Sequence, residues 1–256
     1  MSRQVTDITR QKNSAFTPGQ PLAGSDDFRD SRRGLIEEVR DLQVRNAEGR
    51  VVWDMASYCA FLTPEAPCPD SVNPSLWRHE QLTSTAGLFE VCDGIWQVRG
   101  YDISNMTIIR SDTGYIIIDA LTCVETAKAA IELFFRHFER KPVRGFVVTH
   151  SHADHFGGIA GVVDPSEIRS GRVRMVVPKK FMEESVSENI FVGSAMKRRA
   201  LYQFGNQLVP GPMTNVGAGL GKATSTGFTC LIQPTDEIER TGQTLTIDGV
   251  DFVFQM

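Results

Sequence analysis

The longest apolar runs in the chain, such as Tyr115 to Ile118 with their flanks, fall far short of the roughly 20 residues that a membrane helix needs. No membrane span is expected. The first residues, MSRQVTDITRQKNSAF, contain no apolar stretch followed by small residues, so no secretory signal is read and a cytoplasmic location is expected. Neither sign of charge dominates. With 27 Lys and Arg against 31 Asp and Glu the net charge is −4, which offers no general attraction to nucleic acid or to an anionic membrane surface. Cysteine is scarce: five residues, widely spaced and without a CxxC pair, predict neither a disulfide framework nor a thiolate zinc site. They are expected to be buried small hydrophobes. Histidine is equally scarce, at five residues, but three of them crowd into the stretch 150–155.

What is present is an ordinary globular composition, 256 residues with 41% hydrophobic, enough for one large domain or two small ones and unlike collagen, a coiled coil or a wholly disordered chain. Residues 1 to about 28 are polar and read as a mobile or wrapped-on arm. The spacing of Leu35, Ile36, Val39 and Leu42 predicts an amphipathic helix, and Arg50 to Met55 a short strand. Thr63 to Pro74 is a proline-punctuated loop. From Leu88 onward, runs at 88–91, 95–99, 106–110 and 115–119, separated by turn signals, predict an antiparallel meander. A helix over 123–139 and an apolar strand over 143–149 then complete a βαβ unit. Further on, a helix beginning within 156–163, a buried strand over 173–178 and one or two helices over 181–204 are expected. Residues 205–221 contain five glycines and two prolines and form a long loop. The final segment, 246–254, reads as a hairpin around Asp248-Gly249, its second strand still running at the last residue.

The chemistry concentrates in Thr149-His150-Ser151-His152-Ala153-Asp154-His155-Phe156-Gly157-Gly158, directly after a buried strand. Chance places three His at fixed offsets only about 7 times in a million per start position at this His content. Residues two apart at a strand end project to one side, so His150 and His152 can meet one cation while Asp154 and His155 face a second. Imidazole nitrogen and carboxylate oxygen suit zinc, and two metals together can activate water and hold an anionic leaving oxygen. Gly157 and Gly158 would let the following backbone pack close to the site.

This stretch matches the HxHxDH signature of the metallo-β-lactamase superfamily. With Val72 to Arg78, Gly87 to Val91, Gly100-Tyr101-Asp102-Ile103-Ser104-Asn105-Met106-Thr107 and Val216 to Gly221, the chain resembles the superfamily's zinc-dependent alkyl sulfatases, from about Phe28 to its last residue. The resemblance implies an α/β fold of the αβ/βα sandwich type, two Zn²⁺ per intact site, and hydrolysis of linear primary alkyl sulfates such as dodecyl sulfate by metal-activated water. It implies His150 and His152 as ligands of one zinc and Asp154 and His155 of the other, with Asp154 also orienting the water. Asp119 resembles the superfamily's outer carboxylate that orients a ligand; by sequence alone it is equally a strand-end residue. Tyr202 and Asn206 lie in a part resembling the sulfate-ester pocket, where a phenol and an amide can donate to sulfate oxygens. His79 and His137 read as structural or exposed.

A catalytic zinc normally takes three protein ligands plus water, so two zincs need about six contacts. The motif supplies four, and no His follows His155. By resemblance the missing donors lie further on in the family, and the chain is expected to be an amino-terminal portion: an extension over 1–84 and an incomplete catalytic domain over 85–256. The intact relative is expected to be a homodimer acting on a small alkyl sulfate. Two rivals remain, another hydrolase of the superfamily and a non-catalytic remnant of the fold.

Overall fold

The computed structural model describes residues 4–16 and 26–256. Two short helices come first, α1 (Asp7–Ser14) and α2 (Asp26–Ser31). The expected amino-terminal arm lies partly outside the described residues. Its helix α1, capped by Thr6, is wrapped on: Asn13 donates to the Asp70 carbonyl at 2.8 Å and Arg10 pairs with the Asp70 carboxylate at 3.3 Å.

Three strands follow, β1 (Leu35–Glu38), β2 (Gln43–Arg45) and β3 (Val51–Asp54). The expected helix over Leu35 to Leu42 is therefore corrected to a strand and a bend. Leu35 pairs with Phe89 and Glu38 with Gly87 in an antiparallel ladder, and tertiary pairing overrides a helical spacing that spans only two turns. A single turn, α3 (Ala56–Cys59), and α4 (Pro74–Leu82) come next. Asn73 caps α4 through Ser75 N and Pro74 opens it, a favoured start for a helix.

The meander is realised as β4 (Gly87–Cys92), β5 (Ile95–Arg99), β6 (Met106–Arg110) and β7 (Tyr115–Ile118). Helix α5 (Val124–His137) then crosses back to β8 (Val143–Val147), which runs parallel to β7. After the motif, held partly in the turn α6 (Ala153–Phe156), come α7 (Pro165–Arg169) and β9 (Arg174–Pro178). Helix α8 (Phe181–Val186) continues through a π-helical turn, Ser187–Phe191, into α9 (Gly193–Phe204). A three-residue strand, β10 (Asp236–Ile238), and the hairpin β11 (Thr244–Ile247) and β12 (Val250–Val253) end the chain. The second hairpin strand stops at Val253 rather than running to Met256.

One eight-stranded sheet, in the order β1-β4-β5-β6-β7-β8-β9-β10, organises these pieces. It includes β1, so the sheet extends into the part expected to be an extension. Strand β7 explains the layering. Its run Tyr-Ile-Ile-Ile alternates between faces: Ile117 packs in the large core with Phe134 of α5, Ile116 in a second core with Ile247 of the hairpin. Parallel strands covered on both faces require such continuous apolar runs. Gly145 on β8 lets the hairpin approach, because a Cβ there would meet Ile247 Cγ2 at 2.6 Å. Among the cysteines, Cys59 and Cys123 are buried as expected, but Cys68 and Cys92 are exposed on loop and strand end.

Candidate metal centre

The motif sits where the sheet changes from antiparallel to parallel, at the carboxyl ends of β7 and β8. The backbone there is held in place by several hydrogen bonds. Asp119 N donates to Val147 O at 3.0 Å, Ala120 N to His155 O at 2.8 Å and Gly158 N to Leu121 O at 3.0 Å. The last contact needs glycine, since a Cβ at Gly158 would overlap the Ala120 carbonyl and one at Gly157 the Thr122 carbonyl. Asp119 itself has φ of 58°, a left-handed backbone that Asp tolerates better than most residues.

The Asp119 carboxylate is a hub. It accepts Thr149 N at 2.9 Å and Thr149 Oγ1 at 2.8 Å, and it faces His155 Nδ1 at 2.7 Å. With Nδ1 so engaged, His155 turns Nε2 toward Asp154 Oδ2, 3.1 Å away. In the second pair His150 Nε2 and His152 Nδ1 lie 3.1 Å apart, and the rings of His150 and His155 bring the pairs together with centroids 4.0 Å apart.

These spacings test whether the residues fit a metal. Two ligands about 2.0–2.1 Å from a tetrahedral zinc stand roughly 3.3 Å apart. Both donor pairs stand about 3.1 Å apart and neither is paired with a Lys or Arg, so imidazole and carboxylate donors are gathered there in a chemistry compatible with a divalent cation. Among the described residues no group of three or more such donors surrounds a common point; the pairs remain pairs.

Charge follows the same arrangement. Burial opposes the charged form of His155, but the hydrogen bonds to Asp119 and Asp154 outweigh it and its pKa is pushed up to about 9. Burial, then the neighbouring His155 and His152, push the His150 pKa down. Burial works against the Asp154 carboxylate too, yet the His155 hydrogen bond and charge hold its pKa below the usual carboxylate value.

The structure does not bring Tyr202 and Asn206 into hydrogen bonding with these residues. Tyr202 lies on α9 with 88% exposure, neither in the core nor against the histidines, and Asn206 donates to Thr224 Oγ1 at 2.7 Å. His137 is engaged with Glu37 on the surface, as the sequence suggested. Three residues near the centre escaped sequence reasoning. Ser104 donates to the Asp154 carbonyl; Thr149 bridges His150 Nδ1, at 3.0 Å, and Asp119; and Glu188 Oε1 lies 3.7 Å from His152 Nε2. Ser104 and Thr149 were inside conspicuous stretches, whereas Glu188 had no local signal.

A histidine-rich motif at the carboxyl ends of interior strands of a mixed sheet, with a crossing helix behind it, points to a metal-binding α/β fold. Residues 99–236 match the profile of the Metallo-beta-lactamase superfamily, and the chain belongs to that superfamily. Membership implies a divalent metal.

Within it, the chain is 49% identical over 255 residues to "Alkyl/aryl-sulfatase BDS1" of Saccharomyces cerevisiae, covering 100% of this chain and 39% of the relative. It is 43% identical over 253 residues to "Linear primary-alkylsulfatase" of Pseudomonas sp, covering 99% of this chain and 37% of the relative. The solved structure of the stereoselective inverting sec-alkylsulfatase Pisa1 from Pseudomonas sp. superposes with a TM-score of 0.94 at 44% identity, over 100% of this chain and 40% of that one. The chain therefore spans about two-fifths of the length of the relatives it matches. No helix among the described residues is long and apolar enough to cross a membrane.

Proposed function

We propose that these residues form part of a zinc-dependent alkyl sulfatase that hydrolyses linear primary alkyl sulfates, of the dodecyl sulfate type, to an alcohol and inorganic sulfate. The observation that carries this reading is the extent of the identity. It covers 100% of the chain in the yeast relative, whereas the superfamily profile covers only 99–236. A general hydrolase of the superfamily would share the motif without the preceding residues, which include β1, α4 and β4.

His150 with His152, and Asp154 with His155, would hold one zinc each. Zinc there would supply Lewis acidity toward water and charge neutralisation for the departing sulfate. Asp119 holds His155 in the tautomer that presents Nε2, and Ser104 fixes the backbone from which Asp154 projects. Tyr202 and Asn206 are proposed donors to sulfate oxygens, Asn206 by exchanging its bond to Thr224. The working form is proposed to be a cytoplasmic homodimer.

Four donors fall short of the six or so contacts that two catalytic zincs take, so slow turnover is expected from these 256 residues. The test is sulfate release from octyl and dodecyl sulfate, measured by ion chromatography on metal-stripped and zinc-loaded protein. Slow zinc-dependent release, lost in Asp154→Ala, is the expected result. Efficient release would overturn the view that the donor set is incomplete, and cleavage of a thioester or lactam without sulfate release would overturn the substrate class.

A further inference from the structure

The three motif histidines each have one ring nitrogen turned toward the candidate metal positions, which leaves the other to be accounted for. For His155 it meets Asp119 at 2.7 Å, and for His150 it meets Thr149 Oγ1, itself bonded to Asp119. For His152 the outward nitrogen is Nε2, and Glu188 Oε1 stands 3.7 Å from it. Metal-binding imidazoles commonly donate their second N–H to a carboxylate, which fixes the tautomer and the ring's direction.

Glu188 is placed there by its segment. Ser185, fully buried on α8, donates to the Ser151 carbonyl at 3.3 Å and so pins this segment to the backbone between His150 and His152. One turn later the helix widens into the π-helical turn closed by Val192 N to Ser187 O at 3.0 Å, a distortion that often accompanies functional positions. Among the described residues no Lys or Arg lies within ion-pair distance of Glu188, whose side chain is 28% exposed and whose ion-pair partner is His152.

We infer that Glu188 is a positioning residue: its carboxylate accepts the Nε2–H of His152 and holds the ring with Nδ1 facing His150 Nε2. The inference rests on the proposal that this pair binds a divalent cation. The Ser185 contact ties this segment to the motif backbone, so the remaining approach from 3.7 Å to hydrogen-bond distance is small.

The test titrates metal-stripped protein with Zn²⁺ by calorimetry and with Co²⁺ by absorption, for the native sequence, Glu188→Ala and Glu188→Gln. Glu188→Ala is expected to bind Zn²⁺ roughly 10- to 100-fold more weakly, with Glu188→Gln closer to native because its amide oxygen still accepts. In ¹⁵N-labelled, zinc-loaded protein the His152 Nε2–H resonance should be protected from exchange in the native and Gln forms and lost in the Ala form. Equal Zn²⁺ affinity in all three, with an unprotected Nε2–H, overturns the role of Glu188 and leaves the metal site standing. Failure of the native chain to bind either metal overturns both, and so separates the two failures.

Discussion

Residues 149–158, in which only the single turn α6 is regular, and residues 205–221 are both rich in small side chains, yet they are fixed differently. The first stretch is stitched to the sheet by several modest bonds: Thr149 to Asp119, Ala120 N to His155 O, Gly158 N to Leu121 O, and Ser104 to the Asp154 carbonyl. The second leaves Leu208, Val209, Met213 and Leu220 exposed and meets the body of the protein through Val216, packed with Tyr58, Leu62, Val72 and Trp77, through the Pro212 carbonyl, which accepts Ser71 Oγ at 2.6 Å, and through a buried ion pair just beyond its end. There Lys222 Nζ donates to Glu80 Oε2 and to the Glu80 carbonyl, each at 2.6 Å, and Glu80 Oε1 accepts Gly219 N at 3.0 Å. Glu80 has 0% exposure and Lys222 2%. Losing one of several neutral bonds costs little, whereas losing one member of a buried ion pair leaves its partner's charge uncompensated.

The largest effect should therefore come from breaking the pair. Glu80→Ala leaves a buried ammonium without its carboxylate and should cost about 3–5 kcal/mol in urea unfolding. Replacing both members with apolar residues of similar volume, Glu80→Leu with Lys222→Met, should restore most of that, because two desolvated charges are removed together. A Glu80→Ala protein that unfolds at the native urea midpoint would erase the distinction between the two stretches. Zinc affinity should barely change in either variant, since the pair touches neither motif histidine nor Asp119.

Asp119→Ala attacks the distributed side at its densest point. It removes the acceptor for Thr149 N, Thr149 Oγ1 and His155 Nδ1 at once, and zinc binding should weaken roughly 10- to 100-fold in calorimetry. Asp119→Asn, which tolerates the left-handed backbone, should lose less. If Asp119→Ala unfolds the protein as readily as Glu80→Ala, the motif loop hangs on a single contact after all.

The same contrast explains what could be read from the sequence. The meander, α5 and β8 follow from local alternation and helical spacing, and the pairing of His150 with His152 and of Asp154 with His155 follows from short offsets. Physical partners far apart in the chain leave no such trace. Glu80 and Lys222 are 142 residues apart, and each alone resembles a surface charge. Glu188 sits in a run of ordinary acidic residues until the π-helical turn brings it to His152. Strand β1 was misread because four residues with helical spacing cannot announce a partner strand, and β10, three residues long, is specified by its parallel pairing with β9 rather than by its own composition.

The smallest expected effect lies at β10, where the chain returns to the sheet well beyond the long irregular stretch. Asp236 pairs with Arg174 of β9 through two bonds of 2.6 and 3.1 Å, and the Arg174 hydrogen bond holds its pKa below the usual carboxylate value against the opposing cost of burial. A carboxylate whose pKa is lower in the folded state contributes stability that is fully present above its unfolded value and disappears as pH falls through the folded one. The pair is part-exposed, which limits its contribution to about 0.2–1 kcal/mol. Asp236→Asn should thus lower stability by that amount at pH 7 and converge with the native protein in strong acid, as read by urea unfolding across pH 2 to 7. A constant difference at every pH would mean that Asp236 acts through packing rather than through its charge pair with Arg174.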